Sequence, residues 1–447
     1  MFHSINAYTG ETLCRRPAQS YAEFAQELAA LKVRQQAFAR LGVTGRTALL
    51  QAFAERLAQN KERLAEMVCE EVGRCLHECR AELDKSVELI RYYVHLAPEL
   101  LAHKTIATQA SLSQVRFEPL GVVLAVMPWN YPVWQVLRFA VPALCAGNAC
   151  AVKPAPSVAR VSAALLKLVS DDLPLIGAWL DNDDTLRAIE DTDAMAFTGS
   201  TQTGRLLAAH AGMHLKKTVL ELGGSNPFIV MPDADLERAA IEACYSRFRD
   251  AGQSCNAAKR IVVTEAVADR FIPLFLAECT KLQTGDPKDP ATTLAPLHRE
   301  DLRANVHAQV QDAVANGAEV LTGGFIPEGK GWFYPATVLD KVNSDCRVWN
   351  EEVFGPVAMI LRAKDEEHAV ALANDTPYGL GASIYIADTR RAWDFAEKIQ
   401  AGSVFINRHT SSDLRLPFGG VKASGYGREL SEFGLYEFVN VKTYWQK

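Results

Sequence analysis

From position 122 onward, short apolar runs alternate with amphipathic stretches, and this constrains the fold more than any other feature of the sequence. The runs at 122–127, 150–152, 195–198, 219–222 and 228–231 are separated by helix-like stretches near 133–147, 157–170 and 203–213. Apolar runs this short, bounded by turn residues and interleaved with helices, predict βαβ units and a parallel sheet covered on both faces. A second alternating region places strands near 260–264, 319–322 and 357–362, with helices near 266–282, 299–316 and 366–374. At 447 residues the chain exceeds what one hydrophobic core organises, so the two regions predict two α/β domains. Residues 21–103 read as helices, with Leu49, Phe53 and Leu57 followed by Leu64 and Val68 in an apolar stripe.

A net charge of −6 gives no electrostatic reason for a nucleic-acid or anionic-membrane partner. No apolar run is long enough to span a bilayer, and no secretory leader is visible at the N-terminus. The ten cysteines are scattered without a CxxC pair, which reads as reduced thiols in a cytoplasmic protein. Cys75 and Cys79 share a helix face but His77 points away from both, so no metal site is expected there.

Four segments carry candidate chemistry. Phe197-Thr-Gly199-Ser200-Thr-Gln-Thr-Gly204 follows a strand and opens a helix, where Gly199 and Ser200 suit a phosphate cradle and equally an ordinary strand-to-helix turn. Pro128-Trp129-Asn130-Tyr-Pro132 lies at the carboxyl end of the first strand; Asn130 is either an oxyanion donor or a cap on a stiff turn. Glu221 interrupts an apolar strand before Gly223 and Gly224, as a structurally paired carboxylate or as a general base. Cys255 sits in the loop Gly252-Gln-Ser-Cys255 near Arg249, Lys259 and Arg260, a setting expected to favour the thiolate.

Together with Lys153-Pro-Ala155, Glu352-Val-Phe354-Gly-Pro356 and Pro417-Phe-Gly-Gly-Val-Lys-Ala-Ser-Gly425, these segments resemble the aldehyde dehydrogenase family, in the family's order and over nearly the whole chain. The resemblance implies an α/β fold of two Rossmann-type domains plus a small β oligomerisation part. Residues 1–105 with 121–223 would bind NAD or NADP, 224–418 would carry catalysis, and 106–120 with 434–447 would be oligomerisation strands of a homodimer or homotetramer. It implies Cys255 as nucleophile, Asn130 with the Cys255 N–H as oxyanion donors, and Glu221 as the base that hydrolyses a thioester. Lys153 would hold the adenosine ribose, Trp129, Gly199 and Ser200 would lie around the pyrophosphate, and Glu352 and Phe354 would position the nicotinamide end.

Arg138 and Arg249 resemble the arginines that succinate-semialdehyde dehydrogenases use for the substrate carboxylate, and Ser412 and Arg415 lie in the segment similar to the substrate-entrance loop. A semialdehyde such as succinate semialdehyde is the implied substrate, with a longer semialdehyde or broad aldehyde specificity as the alternative. Two departures stand out. Pro156 occupies the place where the family often has Glu or Ser, which leaves NAD and NADP both open. The segment 157–194 is shorter than usual, predicting a trimmed helix and strand. A cysteine hydrolase would need a histidine beside the nucleophile, and none stands within twenty residues of Cys255.

Overall fold

The computed structural model describes residues 1–447. The strands Val122–Val126, Ala149–Lys153, Leu175–Gly177, Ala194–Thr198 and Lys217–Glu221 form a parallel sheet, and Gly425–Tyr426 adds an antiparallel edge. Val122–Val126 lies between Ala149–Lys153 and Ala194–Thr198. The chain thus winds outward in one direction from its first strand and then in the other, opening a crevice beyond the carboxyl ends where the directions part. Helices cover both faces, so the central strands are buried on each side and read as continuous apolar runs.

A second sheet runs in the order Glu319–Thr322, Thr337–Asp340, Val357–Ala363, Ala258–Thr264, Asn226–Val230, Gly381–Tyr385 and Ser403–Ile406. All its pairings are parallel except that of the first strand. Glu221 ends the last parallel strand of the first sheet, and Asn226 begins a central strand of the second. The Gly223-Gly224 turn therefore carries the chain from the carboxyl end of one sheet to the amino end of the other. Cys255 precedes Ala258–Thr264 at that same amino end. This connection brings a base and a nucleophile together.

The helical region forms as expected, with breaks. Tyr21–Arg40 starts at a capping box in which Ser20 and Glu23 satisfy each other's backbone N–H groups. Leu76–Leu100 packs across the first domain against Trp134–Cys145, a helix buried along its whole length. In the shortened segment, Ala159–Leu166 has eight residues and Leu175–Gly177 only three. The structure adds elements that the sequence pattern did not reveal: the hairpin Phe2–Ile5 with Thr12–Arg16, the helix Asn182–Asp191, and the strands Thr337–Asp340, Gly381–Tyr385 and Ser403–Ile406.

Leu112–Pro119 pairs antiparallel with Val439–Gln446 over eight residues, and Lys104–Thr105 joins its other edge. The C-terminal strand is shorter than expected because Ser431–Tyr436 is helical. The Cys75 and Cys79 thiols donate to separate carbonyls, those of Thr292 and Arg74. No helix is long and apolar enough to cross a membrane.

Candidate active site

Two cavities meet at Cys255. One, of about 220 Å³, is lined by Trp129, Asn130, Gly199, Ser200, Glu221, Cys255, Glu352 and Phe354 among others. The other, of about 260 Å³, is lined by Lys85, Tyr131, Trp134, Arg138, Arg249, Cys255 and Ser412 among others. Cys255 and Gln135 belong to both walls. Cys255 therefore borders both cavities. A wider open hollow of about 730 Å³ beside Leu175–Gly177, lined by Arg16, Arg34 and Trp179, includes none of the candidate site residues.

The loop before Cys255 is held in an unusual backbone shape. Asp250, Ala251 and Gly252 have φ of 53°, 52° and 72°, the left-handed region that costs non-glycine residues about 1 kcal/mol or more each. Asp250 is fixed from every side: Arg74 Nε donates to Oδ1 at 2.6 Å, Tyr131 Oη donates to Oδ2 at 2.5 Å, and its own N–H donates to Glu78 Oε1 at 2.7 Å. Arg74 also pairs with Glu82, whose Oε1 accepts the N–H groups of Val133 and Trp134. A Cβ on Gly252 would lie 2.5 Å from the Gly355 carbonyl oxygen, so only glycine fits between the nucleophile loop and the Glu352–Pro356 segment.

The expected thiolate-favouring surroundings of Cys255 are corrected by the geometry. Lys259 Nζ donates to the Ser254 and Cys255 carbonyls and to Glu352 Oε1, at 2.8, 3.0 and 2.9 Å. Arg260 donates to the carbonyls of Trp349, Leu372 and Asp375, away from the thiol. Burial therefore dominates and pushes the Cys255 thiol up to about 11, with Lys259 and then Arg138 opposing.

Glu221 is buried, and neither carboxylate oxygen has a hydrogen-bond partner. Burial, and next the charge of Glu429, hold it well above the usual carboxylate range, with Arg138 pulling the other way. Asn130 Nδ2 donates to the Gln253 carbonyl at 3.1 Å, leaving the second N–H of the amide for a ligand.

On the 220 Å³ side, Ser200 caps the helix Thr201–Met213 by accepting the N–H of Thr203, so the first-turn N–H groups face the crevice. A Cβ on Gly223 would lie 2.7 Å from Glu352 Oε2 and would fill the passage between them. Trp129 stacks on His298 at 4.2 Å and meets Phe354 edge-on at 5.7 Å. Lys153 ends its strand buried and lines neither cavity; burial lowers its pKa and Asp181 opposes this.

Among the substrate candidates, Arg138, Arg249 and Ser412 line the 260 Å³ cavity, and Arg415 does not. Arg415 is exposed and holds Asp413 through two hydrogen bonds. Arg138 is ion-paired with buried Glu429 and lies 4.8 Å from the centre of the Phe418 ring. Sequence reasoning missed Arg74, Glu78, Glu82, Lys85, Tyr131 and His298. A signal existed for three of them: Glu78, Glu82 and Lys85 form a polar row at helical spacing on a helix whose neighbouring positions, Leu83, Val87 and Ile90, are core. The three potential metal ligands that do converge, Glu190, His210 and His214, lie elsewhere, with the carboxylate serving as hydrogen-bond partner of His210.

A family model described as the aldehyde dehydrogenase family matches residues 1–444. The chain belongs to the aldehyde dehydrogenase family. It is 42% identical over 451 residues to the NAD(P)+ succinate semialdehyde dehydrogenase Sad of Escherichia coli, covering 99% of this chain and 97% of the relative. It is 40% identical over 450 residues to the NADP+ succinate-semialdehyde dehydrogenase of Deinococcus radiodurans, covering 99% and 94%. The solved structure of the succinic semialdehyde dehydrogenase of Streptococcus pyogenes with NADP+ superposes with a TM-score of 0.97 at 33% identity, covering 100% of this chain and 99% of that one. A betaine aldehyde dehydrogenase of Staphylococcus aureus superposes at 0.93 with 28% identity, covering 99% and 93%. The fold is therefore shared by enzymes named for anionic and cationic aldehydes, and substrate choice rests on the cavity lining.

Proposed function

We propose that the chain oxidises succinate semialdehyde to succinate with NAD+ or NADP+, through a thioester on Cys255. The observation that carries this reading is the position of Cys255 as a wall of both cavities, one bearing a helix N-terminus and the other bearing Lys85, Arg138 and Arg249.

The residues of the 220 Å³ cavity fit a nicotinamide dinucleotide. The capped N-terminus at Ser200 with Gly199 suits the pyrophosphate, the Gly223 gap leaves room beside Glu352 for a ribose, and Phe354 with Trp129 walls the ring. Lys153 would hold the adenosine ribose. When bound, the nicotinamide accepts the hydride.

The chain's own residues supply the rest. Glu221, whose buried carboxylate lines the same cavity as Cys255 and has no hydrogen-bond partner, takes up the proton that Cys255 must lose, directly or through water. The Cys255 sulfur attacks the carbonyl carbon, and the Asn130 amide with the Cys255 backbone N–H holds the oxyanion, a stabilisation of about 3 kcal/mol per donor. Loss of hydride leaves the acyl group on sulfur. Glu221 passes the first proton on to solvent and, ionised again, draws a proton from a water that attacks the thioester carbon; the tetrahedral adduct collapses with release of the acid and return of the Cys255 thiolate. Lys259 holds the Ser254 and Cys255 carbonyls while paired with Glu352, which fixes the backbone of the nucleophile loop.

The sheet formed by Leu112–Pro119 and Val439–Gln446 leaves one edge of the C-terminal strand unpaired within the chain, which supports a homodimer or a dimer of dimers built by strand addition. The substrate reading is tested by comparing kcat/KM for succinate semialdehyde and for butanal, its uncharged analogue. The charged aldehyde is expected to be preferred by roughly a hundredfold, the scale of one or two charge-assisted hydrogen bonds. Equal values overturn the carboxylate reading and leave a broad-specificity dehydrogenase.

A further inference from the structure

We propose that Glu190, His210 and His214 form a binding site for a zinc-class divalent cation, which joins the helix Asn182–Asp191 to the helix Thr201–Met213. None of the three lines either cavity at Cys255, and the site does not depend on the succinate-semialdehyde reading.

His210 and His214 stand four residues apart at the end of one helix, so their rings leave the same face, with centres 5.0 Å apart. Glu190 reaches the same point from the neighbouring helix. Its Oε1 lies 3.1 Å from His210 Nε2 and 3.7 Å from His214 Nε2. Ligand atoms around a tetrahedral zinc ion, at bonds of about 2.0–2.1 Å, are about 3.3 Å from one another, and the two separations bracket that edge. All three ligand atoms lie within 4.8 Å of one another, and both rings are partly exposed, so side-chain rotation completes the set. Beneath them Ala188, Ile189, Leu207 and Ala211 are buried in one apolar cluster, which fixes the spacing of the two helices.

The surroundings favour a cation. Glu190 pairs with no lysine or arginine, only with the two imidazoles. Its neighbours on the helix are answered: Asp184 pairs with Arg187, and Asp191 accepts the hydroxyl of Tyr21. Both helices also end here, Glu190 being the last residue but one of its helix and His214 the C-cap of the other. The carbonyl ends of two helices thus add partial negative charge beside the carboxylate.

Two imidazoles and a carboxylate suit zinc, nickel or copper, whereas magnesium and calcium take shells of oxygen. Three protein ligands leave the remaining position to water. On binding, the Nε2 lone pairs and a Glu190 oxygen turn to the ion, and the imidazole protons sit on Nδ1. Acid, which protonates ligand imidazoles, releases it.

The position gives binding a consequence. The helix Asn182–Asp191 belongs to the shortened segment, where the preceding strand Leu175–Gly177 has only three residues. The ion ties the far end of that helix to the helix that Ser200 caps at the crevice. His210 lies ten residues beyond Ser200, about 15 Å along the axis, so the ion stiffens the helix pair without touching a ligand at the capped end.

The test is calorimetric titration of the tag-free full chain with Zn2+ alone. Cys255→Ala serves as the parent, which removes the reactive thiol from competition, and His210→Gln, His214→Gln and Glu190→Gln are made in it. The parent is expected to bind one Zn2+ at this site, with affinity roughly tenfold or more weaker in each variant. Glu190→Gln keeps an acceptor for His210, so the metal-free contact survives in at least that variant. In EDTA the variants should melt with the parent, and saturating Zn2+ should raise the melting temperature of the parent alone. Co2+ in place of Zn2+ should give visible bands without the charge-transfer band of a thiolate ligand. A parent that binds no Zn2+, equal affinity in the parent and all three variants, or a cobalt spectrum showing thiolate ligation that the variants retain would each overturn the assignment.

Discussion

Arg74 Nε donates to Asp250 Oδ1 at 2.6 Å, joining the first helical region to the loop that presents Cys255. Both side chains are buried, so neither exchanges its partner for water. The pair sits where three consecutive left-handed residues set the direction of the nucleophile.

Arg74→Met should therefore do more than lower stability. Leaving Asp250 and Glu82 buried without their cation costs about 3–5 kcal/mol. The melting temperature should fall by several degrees. At a temperature where the variant is still folded, kcat should fall with little change in cofactor affinity. Thermal unfolding paired with steady-state kinetics checks both; a stable variant with wild-type kcat would show that the loop keeps its shape unaided.

The elevated thiol pKa gives a second expectation. With the Cys255 thiol near 11, alkylation of the cofactor-free chain by iodoacetamide should be slower at pH 7 than that of an unstructured cysteine. The rate should rise about tenfold per pH unit up to pH 9, since the thiolate fraction does. Mass spectrometry of the peptide carrying Cys255 at several pH values reads this directly. A rate that is flat from pH 7 upward would mean a pre-formed thiolate.

His298, stacked under Trp129 and hydrogen-bonded to Ser157 at 2.7 Å, provides a pH test of stability. Burial, and next the charge of Arg299, lower its pKa from 6.5 to about 3, so the folded chain keeps the imidazole neutral while the unfolded chain protonates it. Between those values the unfolded state binds the extra proton. Stability is thus complete above pH 6.5 and falls as pH drops, by about 1.4 kcal/mol per unit from this group. Denaturant titrations at pH 7 and pH 5 should show a smaller loss in His298→Gln than in the wild-type chain. An identical loss in both would locate the acid sensitivity elsewhere.

The fold was legible wherever strands are buried on both faces. The run at 122–127 reads best as an interior strand, and the residues following it and the run at 195–198 sit at the crevice that strand order creates. Among the four-residue strands, Glu319–Thr322 was legible while Thr337–Asp340 and Ser403–Ile406 were not, because so short a run shows too little periodicity to separate a strand from a loop. In the site, Glu221 and Asn130 stood out because each places a polar side chain at the end of an apolar run, and Cys255 because it lies in a Gly- and Ser-containing loop with basic neighbours. Lys85 and Arg74 did not, since their role depends on which helix faces the cavity, and that is decided by packing between segments far apart in the chain. Local charge misled at Cys255: Lys259 and Arg260 adjoin it in sequence, but strand geometry turns both toward carbonyls and Glu352. Arg138 illustrates the same limit, because its partner Glu429 is nearly three hundred residues away and no local pattern reveals the pair.

The most direct test of the mechanism is the mass of the acid-quenched protein after mixing with succinate semialdehyde and NADP+, for the wild-type chain, Glu221→Gln and Cys255→Ala. Glu221→Gln should form reduced nicotinamide in at most a single burst and accumulate one succinyl group on the peptide containing Cys255, because hydrolysis has lost its base. Cys255→Ala should give neither adduct nor reduced nicotinamide. Sustained turnover by Cys255→Ala, or a burst in Glu221→Gln with the acyl group on any other residue, would contradict the thioester at Cys255.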